Sequence, residues 1–170
     1  MDWCIAFDGW VAADEGRQCL ALWHYFDKTG SNRSGPARMR PETRIDFGAD
    51  AYIIPDGLVF FENADKRIAA AVELENRTDP KRVVEKLKVH MEAIRSGAVT
   101  RRFEHDKANR VLSISTEASL AVRIMERMLA VPGFREQFLP LFAFNVLDSV
   151  KADFGSGWVL ADGSPAGIFV

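Results

Sequence analysis

The sequence predicts an α/β fold, a mixed β-sheet flanked by helices, and three observations carry that expectation. The β-rich runs GLVFFEN (57–63) and RIAAAVELEN (67–76) are separated by polar turn residues, which makes a hairpin. A capped helix with apolar periodicity follows over 79–97, and beyond it strand and helix patterns alternate as a layered α/β fold requires. The 170 residues, 48% apolar and 27% charged, suit one domain over residues 1–170 with a sizeable core and rule out a mostly disordered chain.

Taken in order, residues 3–13 are apolar with few breaks and predict a short helix, and QCLALWHYF (18–26) reads as a buried strand. DKTGSNRSGPARMRP (27–41) is punctuated by Gly, Ser, Asn and Pro and carries four bases, so it is expected to be a mobile loop, either a solvated linker or a DNA-contacting arm. AYIIP (51–55) is a short β-rich run, with Tyr52 expected in the core. Asp79 is a good N-cap before Pro80 at the first helical position, and Val83, Val84, Leu87, Met91 and Ile94 recur at helical spacing until Gly97. RVLSIST (110–116) predicts a strand, EASLAVRIMERMLAV (117–131) a helix, LFAFNVL (141–147) a strand, and GWVLADG (157–163) a final hairpin arm or edge strand. Trp3, Trp10, Trp23 and Trp158 are expected as core or interface aromatics.

Several classes drop out. No run approaches the roughly 20 apolar residues of a membrane span, and MDWCIAFDGW has acids where a secretion signal needs bases, so a soluble, cytoplasmic protein is expected. Cys4 and Cys19 are too few for a disulfide framework or a thiolate zinc site. Phosphate-loop, dinucleotide and nucleophile-elbow motifs are absent, and His24, His90 and His105 are isolated, which argues against a paired-histidine metal site.

The net charge of −2 hides an uneven distribution: residues 40–76 carry a balance of −4 and residues 77–110 one of +5. An acidic stretch followed by a basic one suits a metal-dependent enzyme acting on phosphates. Hairpin geometry sharpens this. With the turn at Ala64 and Asp65, Asn63 faces Lys66 and Asp56 falls opposite Glu73. Glu75 shares the face of Glu73, while Val72 and Leu74 point the other way, into the core. Three converging carboxylates repel one another unless a cation sits between them, and oxygen-only ligands favour Mg²⁺ or Mn²⁺. The competing expectation is that Glu73 and Glu75 form the wet face of an edge strand, balanced by Arg77.

IIPDG (53–57), sixteen intervening residues from Asp56 to Glu73, VELEN (72–76) and a helix opening with DPKRVVEKL resemble the PD-(D/E)XK nuclease superfamily. More narrowly, residues 45–95 are similar to the replication-relaxation proteins of plasmids, a group that includes MobC-type relaxases. The resemblance implies a restriction-endonuclease-like sheet flanked by helices and a metal-dependent endonuclease that nicks DNA in plasmid mobilisation or replication. It implies metal ligation by Asp56, Glu73, the Leu74 carbonyl and Glu75. DNA and other mobilisation or replication proteins would be its partners. Where the superfamily usually has lysine, two residues after the glutamate, this chain has Glu75; in some members the lysine comes from the following helix, and Lys86 is suitably placed. A turn of about 100° per residue from Leu87 puts Lys86 and Lys88 on opposite flanks, so only one can point at the metal. Arg77, Lys81, Arg82, Arg101 and Arg102 are candidates for phosphate contacts. The alternative is a non-catalytic DNA-binding or assembly module that keeps the fold.

Overall fold

A computed structural model describes residues 2–32, 38–64, 66–76, 79–103 and 109–167. Helix α1 (Asp2–Ala12) leads into β1 (Arg17–His24), followed by the short strands β2 (Lys28–Thr29), β3 (Arg40–Pro41), β4 (Ile45–Asp46) and β5 (Tyr52–Ile53). The hairpin strands are β6 (Gly57–Asn63) and β7 (Lys66–Glu75). Then come α2 (Pro80–Arg95), α3 (Ala98–Phe103), β8 (Asn109–Ser115), α4 (Ala118–Leu129), α5 (Phe134–Gln137), β9 (Phe142–Val146) and α6 (Leu147–Ala152).

The main sheet has the order β1-β6-β7-β8-β9, antiparallel across the first two pairings and parallel across the last two. It is therefore mixed, and helices cover both faces. Helix α1 and Val150 of α6 pack with Val59, Ile68, Ala70, Val72, Leu112 and Ile114 on one face. On the other, Val83, Leu87 and Met91 of α2 meet Ile124 and Met128 of α4 over Val111, Phe142 and Phe144. Helix α2 is long because Asp79 accepts the Lys81 amide, Pro80 opens the first turn, and Gly97 leaves the helix at φ +73. No helix among the described residues is long and apolar enough to cross a membrane.

The hairpin register is as expected from the turn: Asn63 pairs with Lys66 and Gly57 with Val72. Ala64 in the turn takes φ +52, the left-handed conformation that two-residue hairpin turns need. The ladder stops at Gly57, so Asp56 stands one residue outside it rather than in a facing strand pair.

Other expectations need correction. Strand β1 is an edge strand with no buried residue, because the aromatic run that marks it is shared between sheet and solvent. Within 27–41, β2 pairs with β3, and residues 33–37 lie outside the described residues. Tyr52 is exposed with the Arg44 guanidinium 3.7 Å from its ring centroid, since β5 pairs only with β4, outside the main sheet. The 157–163 segment is shorter than an edge strand: Val159 exchanges both backbone bonds with Phe144 of β9 and bridges to Pro165 as the chain folds back, while Gly157 at φ +72 keeps the pairing from extending.

Gly57 is required by packing. A Cβ there would lie 2.4 Å from Trp3 Cζ2, so the missing side chain is what lets the indole of α1 close on the start of β6. Gly57→Ala should lower stability by about 1–3 kcal/mol in urea unfolding; unchanged stability would mean that Trp3 yields freely.

Candidate functional site

The C-terminal end of β7 is where strand, helix and hairpin mouth meet. Ala69, Ala71, Glu73 and Glu75 alternate on the face covered by α2, small residues first and acids last. β7 is a central strand, so the acids are not a wet edge: Glu73 is 0% and Glu75 3% exposed. A buried carboxylate is costly unless it is paired and hydrogen-bonded. Glu73 is both. Lys86 Nζ contacts Glu73 Oε2, and His90 Nε2 lies 2.6 Å from Oε1, donating to the carboxylate when Glu73 is ionised.

Asp56 joins this group from the hairpin mouth. Its Oδ2 accepts the Leu74 amide at 2.9 Å, replacing the ladder bond that β6 no longer supplies, and its own amide makes a long 3.4 Å contact with Glu73 Oε2. Lys86 Nζ is 3.3 Å from Asp56 Oδ2 and 3.9 Å from Glu75 Oε1. The three carboxylates thus surround one ammonium. Burial works against the Lys86 charge, but the fields of Glu73, Glu75 and Asp56 and the hydrogen bond to Glu73 outweigh it, and its pKa rises above the ordinary lysine value. Among the described residues, no group of three or more His, Cys, Asp and Glu side chains forms a ready-made metal site.

A cleft of about 560 Å³ opens beside these groups. The end of β1 and the turn after it contribute His24, Tyr25 and Phe26, with Trp3 behind them; Asp56 comes from just before β6, and Leu74 and Glu75 from the end of β7; the first turns of α2 contribute Arg82, Val83 and Lys86. This is the carboxyl end of a parallel strand pair, where open α/β sheets bind ligands. A larger concavity, about 730 Å³, lies against α1 and α6; it contains the Asp2–Lys151 pair but none of the buried acids at the end of β7.

The expected basic residues divide. Arg82 reaches the cleft. Lys81 lines a shallow dent beside Arg127, and Arg101 and Arg102 line a separate concavity of about 550 Å³ with Arg40 and Arg44. Arg77 lies outside the described residues, as does His105. Lys88 pairs with Glu85 at 2.8 Å on the exposed flank, which leaves Lys86 as the lysine aimed at the acids.

Some residues were not foreseen. His90 is not isolated but buried against Glu73, and its position one turn after Lys86 on the same helix flank was the available signal. Ser113 and Ser115 pair in register with Glu73 and Glu75, and their buried hydroxyls have no hydrogen-bond partner among the described residues. Their S-I-S alternation matches the E-L-E beside it. Tyr25 lines the same cleft as Asp56 and Lys86. Both cysteines are free, and burial pushes the Cys4 thiol up to about 11, which keeps it protonated.

Comparison with known proteins finds no matching family model, no similar curated protein and no similar solved structure. What the fold and site define is an α/β protein with a mixed central sheet and an acid-lysine cluster at a strand-end cleft.

The Glu73–Lys86 contact should be visible in stability. Lys86→Met and Glu73→Gln should each destabilise, with a coupling of about 1–3 kcal/mol in a double-mutant cycle by urea unfolding. Because the lysine pKa is raised, this contribution is fully present at neutral pH and disappears only as pH climbs through the folded-state value. Additive losses would mean that the contact carries no net stabilisation.

Proposed function

We propose that the cleft is the active site of a metal-dependent DNA endonuclease with a PD-(D/E)XK, restriction-endonuclease-like architecture, acting in plasmid mobilisation or replication. The observation that carries this reading is the convergence of Asp56, Glu73 and Glu75 on a single cation, the Lys86 ammonium. The chain order supports it too: an acid at the mouth of an antiparallel hairpin, acids on its second strand, and a lysine on the helix that crosses to a parallel strand.

The donor set fits a hard divalent ion, because it consists of carboxylate oxygens already arranged around positive charge. Asp56, Glu73 and Glu75, with the Leu74 carbonyl, would hold Mg²⁺ or Mn²⁺ in exchange for some of the Lys86 contacts. Such an ion, when bound, polarises a phosphodiester and lowers the pKa of an attacking water. The chain's own groups do the rest. His90 holds Glu73 in one orientation from inside the core. Lys86, one-third exposed and cationic, can turn from the acids to a phosphate oxygen and stabilise the charge that develops there. Arg82 at the cleft supplies a contact to a neighbouring phosphate, and Arg40, Arg44, Arg101 and Arg102 offer further positive charge along the surface.

One observation favours the rival reading of a non-catalytic binding module: Lys86 already pairs with all three acids and offsets part of their charge. Supercoiled plasmid with Mn²⁺ separates the two. The nuclease reading expects open circles free of attached protein, abolished by Glu73→Gln and impaired by Glu75→Gln. Lys86→Ala should slow cleavage while keeping DNA binding, and Lys88→Ala should do little. A folded, Mn²⁺-loaded protein that leaves plasmid and single-stranded DNA intact would support the binding module. A covalent protein–DNA adduct lost in Tyr25→Phe would replace water by tyrosine as the nucleophile.

A further inference from the structure

The aromatic wall of the cleft has no part in the chemistry above, yet it is built and exposed. Tyr25 is 56% and Phe26 46% exposed, unusual for large rings on a rigid turn. The turn is pinned on every side: Asp27 accepts the His24 amide at 2.7 Å, the Asp27 amide returns to the His24 carbonyl at 2.9 Å, and the Tyr25 amide donates to the Asp56 carbonyl at 3.2 Å. That last bond ties the rings directly to a candidate metal ligand. Phe26 stacks on His24, with centroids 4.9 Å apart and planes at 18°, while Tyr25 meets Phe26 edge-on at 5.5 Å and Trp3 meets His24 at 5.9 Å. The rings therefore form a continuous aromatic cluster, stacked at Phe26–His24 and edge-on elsewhere, anchored in the core by Trp3 and with Tyr25 and Phe26 lining the cleft.

We propose that Tyr25 and Phe26 form a stacking shelf for an unpaired nucleobase, so that this site takes single-stranded or locally opened DNA. The cleft holds the complementary features of one nucleotide: exposed aromatic rings from the turn, Arg82 and Lys86 from α2 for the phosphate, and acids beside them. Its volume of about 560 Å³ lies within the usual range of small-molecule sites, roughly 300–1,000 Å³, and accommodates a nucleotide. A base inside a duplex offers neither face to such a shelf, because both are already stacked.

The inference rests on the nucleic-acid reading of the site but not on catalysis, so it is tested without metal. In EDTA, fluorescence anisotropy should show a fluorescein-labelled oligothymidylate binding more tightly than a duplex of the same length. The Tyr25→Leu/Phe26→Leu double variant should weaken oligothymidylate binding roughly ten-fold or more, as loss of base stacking does, and leave duplex binding within about two-fold. Tyr25→Phe and Phe26→Trp should keep the preference. Unchanged oligothymidylate binding in the double variant, or equal loss for both DNA forms, overturns the shelf. So does a variant whose only change is weaker self-association in sedimentation, which would make the rings a protein interface. A chain that binds through the shelf but never cleaves keeps this inference and loses the nuclease; one whose double variant cleaves duplex and binds oligothymidylate like the parent does the reverse.

Discussion

The constraint on which the rest of this structure depends is a carboxylate with no access to solvent. Glu73 sits on the central strand of a five-stranded sheet, and its charge is tolerated only because α2 delivers Lys86 and His90 to its two oxygens. That requirement fixes the rotation of α2 about its axis. Lys86 and His90 are one turn apart, so both can reach one residue only with that flank turned toward β7; the same rotation seats Leu87 and Met91 on the α4 side. Packing and charge pairing therefore demand the same helix phase, the kind of agreement across levels that gives a sequence one structure.

The hairpin mouth is held by equally local physics. Gly57 lets Trp3 close against β6, and ladder pairing ends there. Asp56 then bonds the Leu74 amide with its side chain and places a second charge beside Glu73. A third comes from Glu75 through the two-residue repeat of the strand. The result is a charged cluster whose single ammonium cannot neutralise three carboxylates by itself, next to a cleft that a ligand can enter. Proteins seldom keep such clusters for stability alone, because apolar replacements are often as stable or more so. This is the physical ground for treating it as a functional site.

Features set by local physics were legible in the sequence. The Asp79 cap, Pro80, the apolar stripe of α2 and the turn that fixes the hairpin register all act within a few residues, and the structure has each of them. The choice of Lys86 over Lys88 also came from a local rule, the rotation per residue. Features set by tertiary neighbours were not legible. Whether VELEN formed an edge or a central strand depended on residues 109–115, so solvated and buried glutamates read alike. Helices α3 and α6 span six residues each, too short to display a period. The exposure of Tyr52 was hidden for a related reason, since the strand-like composition around it does not tell that its strand lies outside the main sheet.

On the proposed reading the acids, rather than the fold, are the source of function, and the property that reading requires of them is the capacity to hold a hard divalent cation in competition with Lys86. Calorimetric titration of Mn²⁺ into the whole chain and into Asp56→Asn measures that property without any assumption about substrate. The account predicts one Mn²⁺ bound by the native protein, binding at least ten-fold weaker in the folded Asp56→Asn variant, since one charged ligand is lost, and tighter binding in Lys86→Met, where the competing ammonium is gone. Equal affinity in the native protein and Asp56→Asn, or no binding even in Lys86→Met, would contradict it.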